Sequence, residues 1–244
     1  MKFLVNENIA HRGLYNNNEK VPENSIIAFK KAIENNIPIE LDVQITNDGK
    51  LIIFHDFNLL RMTGINKNVI DCSLEQIQKL NLLNTKYKIP TLIDTLKIID
   101  NKVPILIEIK DNSLSKKLER HILKILRQYK GRYAIESFNP FVILWLRIHA
   151  NEIYRGQLSS HFEDDKMPKL QKYLLKNMFM NFLTSPHFIS YNIKNLPDKR
   201  VEKLRKKGKY IFGWTIDSKE EYEKSKKYCD SIIFENLNIK NSKY

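Results

Sequence analysis

Residues 38–56 read PIELDVQITNDGKLIIFHD, and this stretch decides how the chain folds. Apolar and polar residues alternate over residues 39–45, which is the periodicity of a β-strand. Asp48-Gly49 follows as a strong hairpin signal, and residues 51–54 supply the β-rich run that returns from it. The pattern predicts a β-hairpin whose first strand has one polar face.

The predicted register brings ionisable groups together at the open end of this hairpin. If Asp48 and Gly49 are the two central turn residues, Asp42 faces His55 across the hairpin. Side chains alternate along a strand, so Glu40, Asp42 and Gln44 share one face. Two carboxylates and an imidazole would then converge, although a solvated hairpin face with scattered polar residues is the alternative.

Length and composition limit the class of protein. The 244 residues suit one barrel or sandwich, or two small domains. No run approaches the ~20 apolar residues that cross a bilayer, and the polar N-terminal stretch is unlike a signal peptide. The two cysteines, Cys72 and Cys229, have no metal-type spacing. We therefore expect a cytoplasmic protein with reduced thiols.

The chain is basic, with 41 Lys+Arg against 28 Asp+Glu and a formal net charge of +13. Such a balance suggests an anionic partner, or lysines on solvated helix surfaces. The lysines are spread over many segments, which favours the second explanation. Their denser clusters are not interleaved with aromatic residues, so we expect no nucleic-acid partner. Peripheral contact with a membrane is a further expectation.

Short β-type runs alternate with longer helix-type runs along the chain. The predicted strands are near residues 8–11, 38–44, 103–109, 133–138, 153–158, 188–192, 210–216 and 230–234. The later predicted helices are near residues 168–183, 198–207 and 218–228.

These eight strands leave out residues 51–54, because a two-residue turn is too short for a parallel crossover. We predict an α/β protein, a (β/α)8 TIM barrel with a β-hairpin excursion after strand two, as a single domain over residues 1–244. An open doubly wound sheet is the alternative, but its glycine-rich phosphate fingerprints are missing from the sequence.

Barrel chemistry lies at the C-terminal ends of the strands. Those ends and the hairpin carry, among others, His11, Arg12, Glu40, Asp42, His55, Glu108, Lys110, Phe138 and Trp214. Three carboxylates without thiolates suit a hard divalent cation, Mg²⁺ or Ca²⁺. Two histidines suit acid–base work near neutral pH, and Arg and Lys suit phosphate oxygens. The set indicates metal-assisted phosphoryl chemistry.

Several motifs resemble the glycerophosphodiester phosphodiesterase family in order and spacing. They are AHRG at residues 10–13, PENS at 22–25, AF at 28–29, ELDV at 40–43, Thr46 with DG at 48–49, FHD at 54–56, Arg61 with TG at 63–64, IPTL at 89–92, EIK at 108–110, SF at 137–138 and WT at 214–215. The resemblance is dense over residues 10–110 and thinner afterwards. It implies a TIM barrel enzyme of glycerol and lipid metabolism. Such an enzyme hydrolyses glycerophosphodiesters to an alcohol and sn-glycerol 3-phosphate with one divalent cation.

The resemblance also implies roles by position. The implied metal ligands are Glu40, Asp42 and Glu108, and the implied acid–base pair is His11 and His55. Arg12 and Lys110 would bind the phosphate, and Phe138 and Trp214 would line the site against the glycerol or the leaving group. The chain departs from the family pattern at residues 234–237 and at Asp217, which concerns substrate choice rather than catalysis.

Two other functions are compatible with this resemblance. One is a lysophospholipase D-like enzyme at a membrane surface, which the charge and the apolar helix over residues 141–148 would serve. The other is a non-catalytic barrel that binds glycerol phosphates. The complete set of histidines and carboxylates argues against the binding protein, which would have little use for it.

Overall fold

The computed structural model describes residues 1–111, 115–163 and 166–237. In these residues the strands are β1 Asn8–Ala10, β2 Ile39–Ile45, β3 Leu51–Ile53, β4 Ile105–Ile109, β5 Tyr133–Ser137, β6 Arg155–Ser159, β7 Phe188–Asn192, β8 Tyr210–Ile216 and β9 Ser231–Phe234. The α-helices are α1 Ile26–Glu34, α2 Leu60–Thr63, α3 Leu74–Gln78, α4 Leu92–Ile99, α5 Lys117–Leu126, α6 Pro140–His149, α7 Lys169–Lys176, α8 Asn181–Thr184, α9 Lys199–Lys206 and α10 Lys219–Tyr228.

The eight predicted strands are all present in the described residues, each within two residues of its expected bounds. Apart from β3, the strands alternate with helical segments and their mutual pairings are parallel. This confirms the predicted fold class, a (β/α)8 TIM barrel with a hairpin added at the second strand. The chain divides into two compact units, which we call the N-terminal unit (residues 10–133) and the C-terminal unit (residues 1–9 and from 134 onward).

The N-terminal unit is built around β2. This strand pairs in parallel with β4, from Ile39 opposite Ile105 to Val43 opposite Ile109, and antiparallel with β3. All five residues of β4 are buried, as its continuous apolar run predicts for a strand covered on both sides. Pairing of β2 with β4 therefore fixes which polar residues of the two strands lie opposite each other.

The hairpin register differs from the prediction by one residue. Val43 lies opposite Ile53, and the backbone N–H of Phe54, rather than His55, donates to the carbonyl of Asp42 at 2.9 Å. The turn has three residues, 47–49, with Gly49 at a left-handed φ of 78°. The predicted two-residue turn and direct pairing of Asp42 with His55 are therefore wrong.

Thr46 explains this longer turn. Its hydroxyl donates to Asp48 Oδ1 at 2.6 Å and accepts from the N–H of Lys50 at 2.9 Å. The backbone N–H of Thr46 also donates to the carbonyl of Lys50 at 2.9 Å. These bonds pair Thr46 with Lys50 and leave three residues in the turn, because the Thr46 hydroxyl takes the place of a backbone carbonyl as acceptor.

The segment after β3 forms a small core of its own. Its buried apolar side chains are Ile52, Phe54, Leu59, Met62, Val69, Cys72, Ile77, Leu82 and Ile89. Ser73 opens α3 with a reciprocal capping box to Gln76, as its sequence predicts. This packing holds α2 in a defined position after the hairpin.

The C-terminal unit contains β5 to β9 as successive parallel neighbours. Phe188 and Phe212 stack with ring centroids 4.6 Å apart, and a Cβ at Gly156 would lie 2.2 Å from the Phe188 ring. The predicted helix over residues 168–183 is wrong, since α7 and α8 are separate. The break occurs at Met178, whose φ is 51°, and no glycine or proline marks it in the sequence.

Candidate active site

Three carboxylates converge on β2 and β4 of the N-terminal unit. Glu40 and Asp42 are two residues apart on β2, and Glu108 of β4 lies opposite Asp42 in the parallel register. One carboxylate oxygen from each residue lies within 4.8 Å of the other two, and all three residues are buried. The parallel pairing thus converts two separate sequence motifs into one acidic cluster.

The cluster fits a hard divalent cation. Asp42 Oδ2 accepts a hydrogen bond from the Asn24 amide at 2.8 Å, and Asp42 Oδ1 is buried without a hydrogen bond, 3.4 Å from Lys110 Nζ. A buried carboxylate is costly unless cations neutralise it, and here three carboxylates share the charges of Lys110 and Arg12. Three buried carboxylates are the donor set that Mg²⁺ or Ca²⁺ takes. Glu40, Asp42 and Glu108 could hold such an ion.

Two cationic side chains border the cluster. Lys110 Nζ lies 2.9 Å from Glu108 Oε1 and 3.4 Å from Asp42 Oδ1. Arg12 Nε lies 3.6 Å from Asp42 Oδ2, and the backbone N–H of Arg12 donates to Glu40 Oε2 at 2.8 Å. Arg12 has a left-handed φ of 54°, a conformation that its surroundings must maintain. Both cations are thus held at the carboxylates.

Burial and charge act in opposite directions on the carboxyl groups. Burial alone would raise the pKa of Asp42, but Lys110, His55 and Arg12 outweigh it and hold that pKa below its usual range. For Glu108, burial dominates over the attraction of Lys110 and raises the pKa above its usual range. The cluster therefore contains one firmly ionised carboxylate and one that is costly to ionise without a further cation.

His55 follows β3 and is held by the loop that carries it. The Gln44 amide donates to the carbonyls of Phe54, His55 and Asp56 at 2.8, 3.1 and 2.7 Å. His55 Nδ1 lies 2.6 Å from Asp56 Oδ1. A carboxylate at this distance selects the tautomer with a proton on Nδ1, so that Nε2 is the atom that can accept or donate a proton.

Glu23 and Arg61 connect Asp56 to Arg12, and neither residue was predicted to have a role. The Arg61 guanidinium donates to Glu23 at 2.7 and 2.8 Å and to Asp56 at 2.6 and 2.9 Å. Glu23 also accepts from Arg12 Nη1 at 2.7 Å. These ion pairs connect Asp56, which contacts His55, to Arg12. Asn24, Gln44 and Asp56 are further contacts whose roles were not predicted, although all lie in or beside recognised motifs.

The charged network strongly affects Glu23. Burial alone would raise its pKa, but hydrogen bonds and charge from Arg61 and Arg12 lower it to about 2. Glu23 is therefore ionised throughout the neutral range, and it fixes two arginines at once. Sequence patterns contain no signal for this contact, because Arg61 lies 38 positions from Glu23 in the separately packed segment after the hairpin.

The remaining predicted residues lie as follows. His11 directly follows β1 in the N-terminal unit and is half-buried. In the C-terminal unit, Phe138 and Trp214 meet edge to face with ring centroids 5.4 Å apart. Phe162, which was not predicted, lies 6.0 Å from Phe138 with a φ of 55°. The N-terminal unit thus brings the three carboxylates together with Arg12 and Lys110, and the C-terminal unit brings the two aromatic residues together.

Comparison with known proteins identifies the family. The sequence model of the Glycerophosphoryl diester phosphodiesterase family matches residues 11–238. A glycerophosphodiester phosphodiesterase from Caldanaerobacter subterraneus subsp. tengcongensis is 34% identical over 245 residues, covering 96% of this chain and 94% of that protein. Bovine glycerophosphodiester phosphodiesterase 1 is 28% identical, covering 88% of this chain and 74% of that protein.

Solved structures share the fold. A phosphodiesterase from Oleispira antarctica, solved with the product sn-glycerol-3-phosphate, has a TM-score of 0.79 at 21% identity, covering 96% of this chain and 94% of that chain. A glycerophosphodiester phosphodiesterase from Thermotoga maritima has a TM-score of 0.71 at 25% identity, covering 93% and 92%. The chain is thus an enzyme, a phosphoric diester hydrolase, and it belongs to the glycerophosphoryl diester phosphodiesterase family.

Proposed function

We propose that this chain hydrolyses small glycerophosphodiesters to an alcohol and sn-glycerol 3-phosphate, with one divalent cation and two catalytic histidines. The observation that carries this proposal is the buried cluster of Glu40, Asp42 and Glu108, with an oxygen of Asp42 that has no hydrogen-bond partner. The Oleispira antarctica phosphodiesterase contains sn-glycerol-3-phosphate as its product, which supports a substrate of this class. The relatives' names do not favour the lysophospholipase or the non-catalytic alternative.

The three carboxylates would hold Mg²⁺ or Ca²⁺ through oxygen ligands. Such an ion supplies charge stabilisation for a phosphoryl oxygen and for the developing charge of the transition state. Lys110 stays within 3.4 Å of Asp42 and Glu108, so it offers a second positive charge at the same place.

Arg12 and Lys110 would bind the non-bridging oxygens of the phosphate. Arg12 Nε lies 3.6 Å from Asp42 Oδ2 and Arg12 Nη1 donates to Glu23, so the guanidinium is fixed beside the acidic cluster. The Arg12 pKa is raised because Asp42, Glu23 and Glu40 outweigh the effect of its burial, which keeps the side chain charged. A fixed and charged guanidinium is well suited to a phosphate oxygen.

The histidines would transfer the protons of the reaction. As a water molecule attacks phosphorus and a new P–O bond forms, one imidazole accepts a proton from that water. As the bond between phosphorus and the alcohol oxygen breaks, the other imidazole donates a proton to that oxygen, which releases the alcohol and leaves glycerol 3-phosphate. For His55, the transferring atom is Nε2, because Nδ1 faces Asp56. We assign His11 as its partner from its position after β1.

Phe138 and Trp214 would line the site against the glycerol or the leaving group. We further propose that residues 1–244 act as one domain, in agreement with a family match over residues 11–238. Residues 238–244 lie outside the described part of the chain. Among the described residues, we find no helix with the length and hydropathy needed to cross a bilayer, and a cytoplasmic location stays a prediction.

The test is release of glycerol 3-phosphate from glycerophosphocholine by chelator-treated protein to which Mg²⁺ or Ca²⁺ is returned. Asp42→Asn should lower metal affinity and activity together by at least about a hundredfold, since even outer-shell changes cost about 10–100-fold. Glu119→Gln is the matched control, because Glu119 is a buried carboxylate of α5 that pairs with Lys116. Full turnover in excess chelator, or wild-type activity in Asp42→Asn, would contradict the proposal.

A further inference from the structure

Helices α7 and α8 expose an unusual number of large apolar side chains. We call residues 169–183 the α7–α8 surface. Its exposed apolar side chains are Leu170, Tyr173, Leu174, Phe179, Phe182 and Leu183. Phe182 is 77% exposed and Leu170 is 69% exposed, and no residue of α7 is buried. An amphipathic helix normally turns its apolar stripe toward the core, so a stripe of this size in solvent marks an interaction surface.

Side chains of neighbouring elements bond to the backbone of the α7–α8 surface. The Ser159 hydroxyl donates to the carbonyl of Leu175 at 3.2 Å, and Arg200 Nη1 donates to the carbonyl of Lys176 at 2.9 Å. Arg147 of α6 donates to the carbonyls of Phe182 and Leu183. Because backbone groups make these contacts, the outward side chains are not needed to anchor the two helices.

Helix α6 adds apolar side chains next to α8. Phe141, Trp145 and Ile148 lie at i, i+4 and i+7, which places them on one side of the helix. Phe141 is half-exposed and Ile148 is 66% exposed. Arg147 of the same helix ties α6 to the backbone of α8.

Charge identifies the kind of partner. Every charged side chain in residues 166–184 is a lysine, namely Lys166, Lys169, Lys172 and Lys176. Acidic residues 163–165 precede this segment, and of these the structure describes Glu163, whose carboxylate lies 3.4 Å from His161 Nδ1. Lysines interspersed with leucines and aromatic residues are typical of segments that lie in the interface of an anionic bilayer.

We propose that the α7–α8 surface docks on an anionic lipid bilayer. The aromatic and leucine side chains would enter the interfacial region, while the lysines contact anionic headgroups. A second copy of this chain is a poorer occupant, because a symmetric contact would oppose the same lysines and each chain carries a net charge of +13. This docking is independent of the proposed hydrolysis and would bring the enzyme to a lipid surface.

The test is co-sedimentation of the purified full chain with phosphatidylcholine vesicles, with and without phosphatidylglycerol. We expect binding to the anionic vesicles only, weakened by added salt. Phe182→Ser should lower the partition coefficient by about tenfold, because it removes a large apolar side chain from the interface. Lys169→Gln should lower it by about fivefold, from the loss of one charge at the surface.

Ile70→Ser is the matched control, because Ile70 is also exposed but lies in a 3₁₀ turn of the N-terminal unit. It should bind vesicles as the wild type does. Hydrolysis of glycerophosphocholine without vesicles should be equal in all four proteins, which separates docking from catalysis. The proposal is overturned if the wild type ignores anionic vesicles, or if Phe182→Ser binds them as well as Ile70→Ser. It is also overturned if sedimentation shows a dimer that Phe182→Ser dissociates.

Discussion

Each unit of the molecule contains a network of arginine, carboxylate and histidine, and the two networks differ in one chemical respect. In the N-terminal unit, His55, Asp56, Arg61, Glu23 and Arg12 lead to the acidic cluster. In the C-terminal unit, the second network consists of His161 after β6, Tyr191 in β7, and Asp198 and Arg200 at the start of α9.

The second network satisfies its central carboxylate, Asp198, completely. Asp198 Oδ1 accepts from the backbone N–H and Nε of Arg200 at 2.8 and 2.9 Å, which also caps α9. Asp198 Oδ2 contacts Arg200 Nη2, the Tyr191 hydroxyl and His161 Nε2. Burial would raise the Asp198 pKa, but Arg200 and His161 hold it below its usual range. Both oxygens of Asp198 are therefore occupied by contacts within the protein.

The acidic cluster does not satisfy all of its carboxylate oxygens in this way. It places three carboxylates within 4.8 Å and leaves Asp42 Oδ1 without a hydrogen bond. A folded protein bears such a cost where a ligand removes it. Buried charge alone therefore does not mark a functional site, and the distinguishing feature is the convergence of three buried carboxylates.

The largest expected difference concerns the two carboxylate-paired histidines. His55→Ala should lower kcat by about 10²–10⁴-fold, the usual contribution of one acid–base group. His161→Ala should leave kcat unchanged and lower the melting temperature, because its partner Asp198 belongs to a structural network. Steady-state kinetics and thermal melts of both variants check this. Equal losses of kcat would contradict the distinction between the networks.

The acid stability of the first network should depend on Glu23. Its pKa is lowered to about 2 from an ordinary 4.5, so its stabilising effect is full above about pH 5 and is lost as the pH falls toward 2. The shift corresponds to about 3 kcal/mol of unfolding free energy.

Urea unfolding of the wild type and Glu23→Gln at several pH values between 2 and 7 tests this. The variant should be less stable at pH 7 and should lose less stability on acidification. Glu19→Gln, at an exposed carboxylate nearby, is the control and should follow the wild type. A pH dependence of Glu23→Gln equal to that of the wild type would show that Glu23 does not stabilise the folded state through its charge.

Sequence patterns predicted which strands carry the carboxylates of the site, but not the ion pairs of Arg61 with Glu23 and Asp56. The period-2 alternation of β2 and the apolar run of β4 determine which carboxylates point the same way, so Glu40, Asp42 and Glu108 could be placed together. Strand periodicity is a local property and survives small errors in strand bounds. The hairpin register was predicted wrongly because it depends on hydrogen bonds of the Thr46 side chain.

Contacts between irregular segments had no comparable signal. Arg61 reaches Glu23 across 38 positions from a short helix after the hairpin. The break between α7 and α8 at Met178 likewise has no glycine or proline to announce it. Such features depend on tertiary packing, which overrides local preference.

The smallest expected effect concerns the arginines that join each network. Arg61 uses its planar fork to contact both oxygens of Glu23 and both oxygens of Asp56, a geometry that lysine does not reproduce. Arg61→Lys should therefore loosen Asp56 and the imidazole that Asp56 orients. As a positioning residue, Arg61 should affect kcat by about tenfold, within the range of outer-shell changes, and leave KM nearly unchanged.

Arg200→Lys is the matched substitution in the second network and should lower the melting temperature without changing kcat. Steady-state kinetics and thermal melts of the two lysine variants test this. If Arg61→Lys kept the wild-type kcat, the first network would not orient His55. The two networks would then both be structural, and catalytic function would be confined to the carboxylates, the histidines and the groups that touch the phosphate.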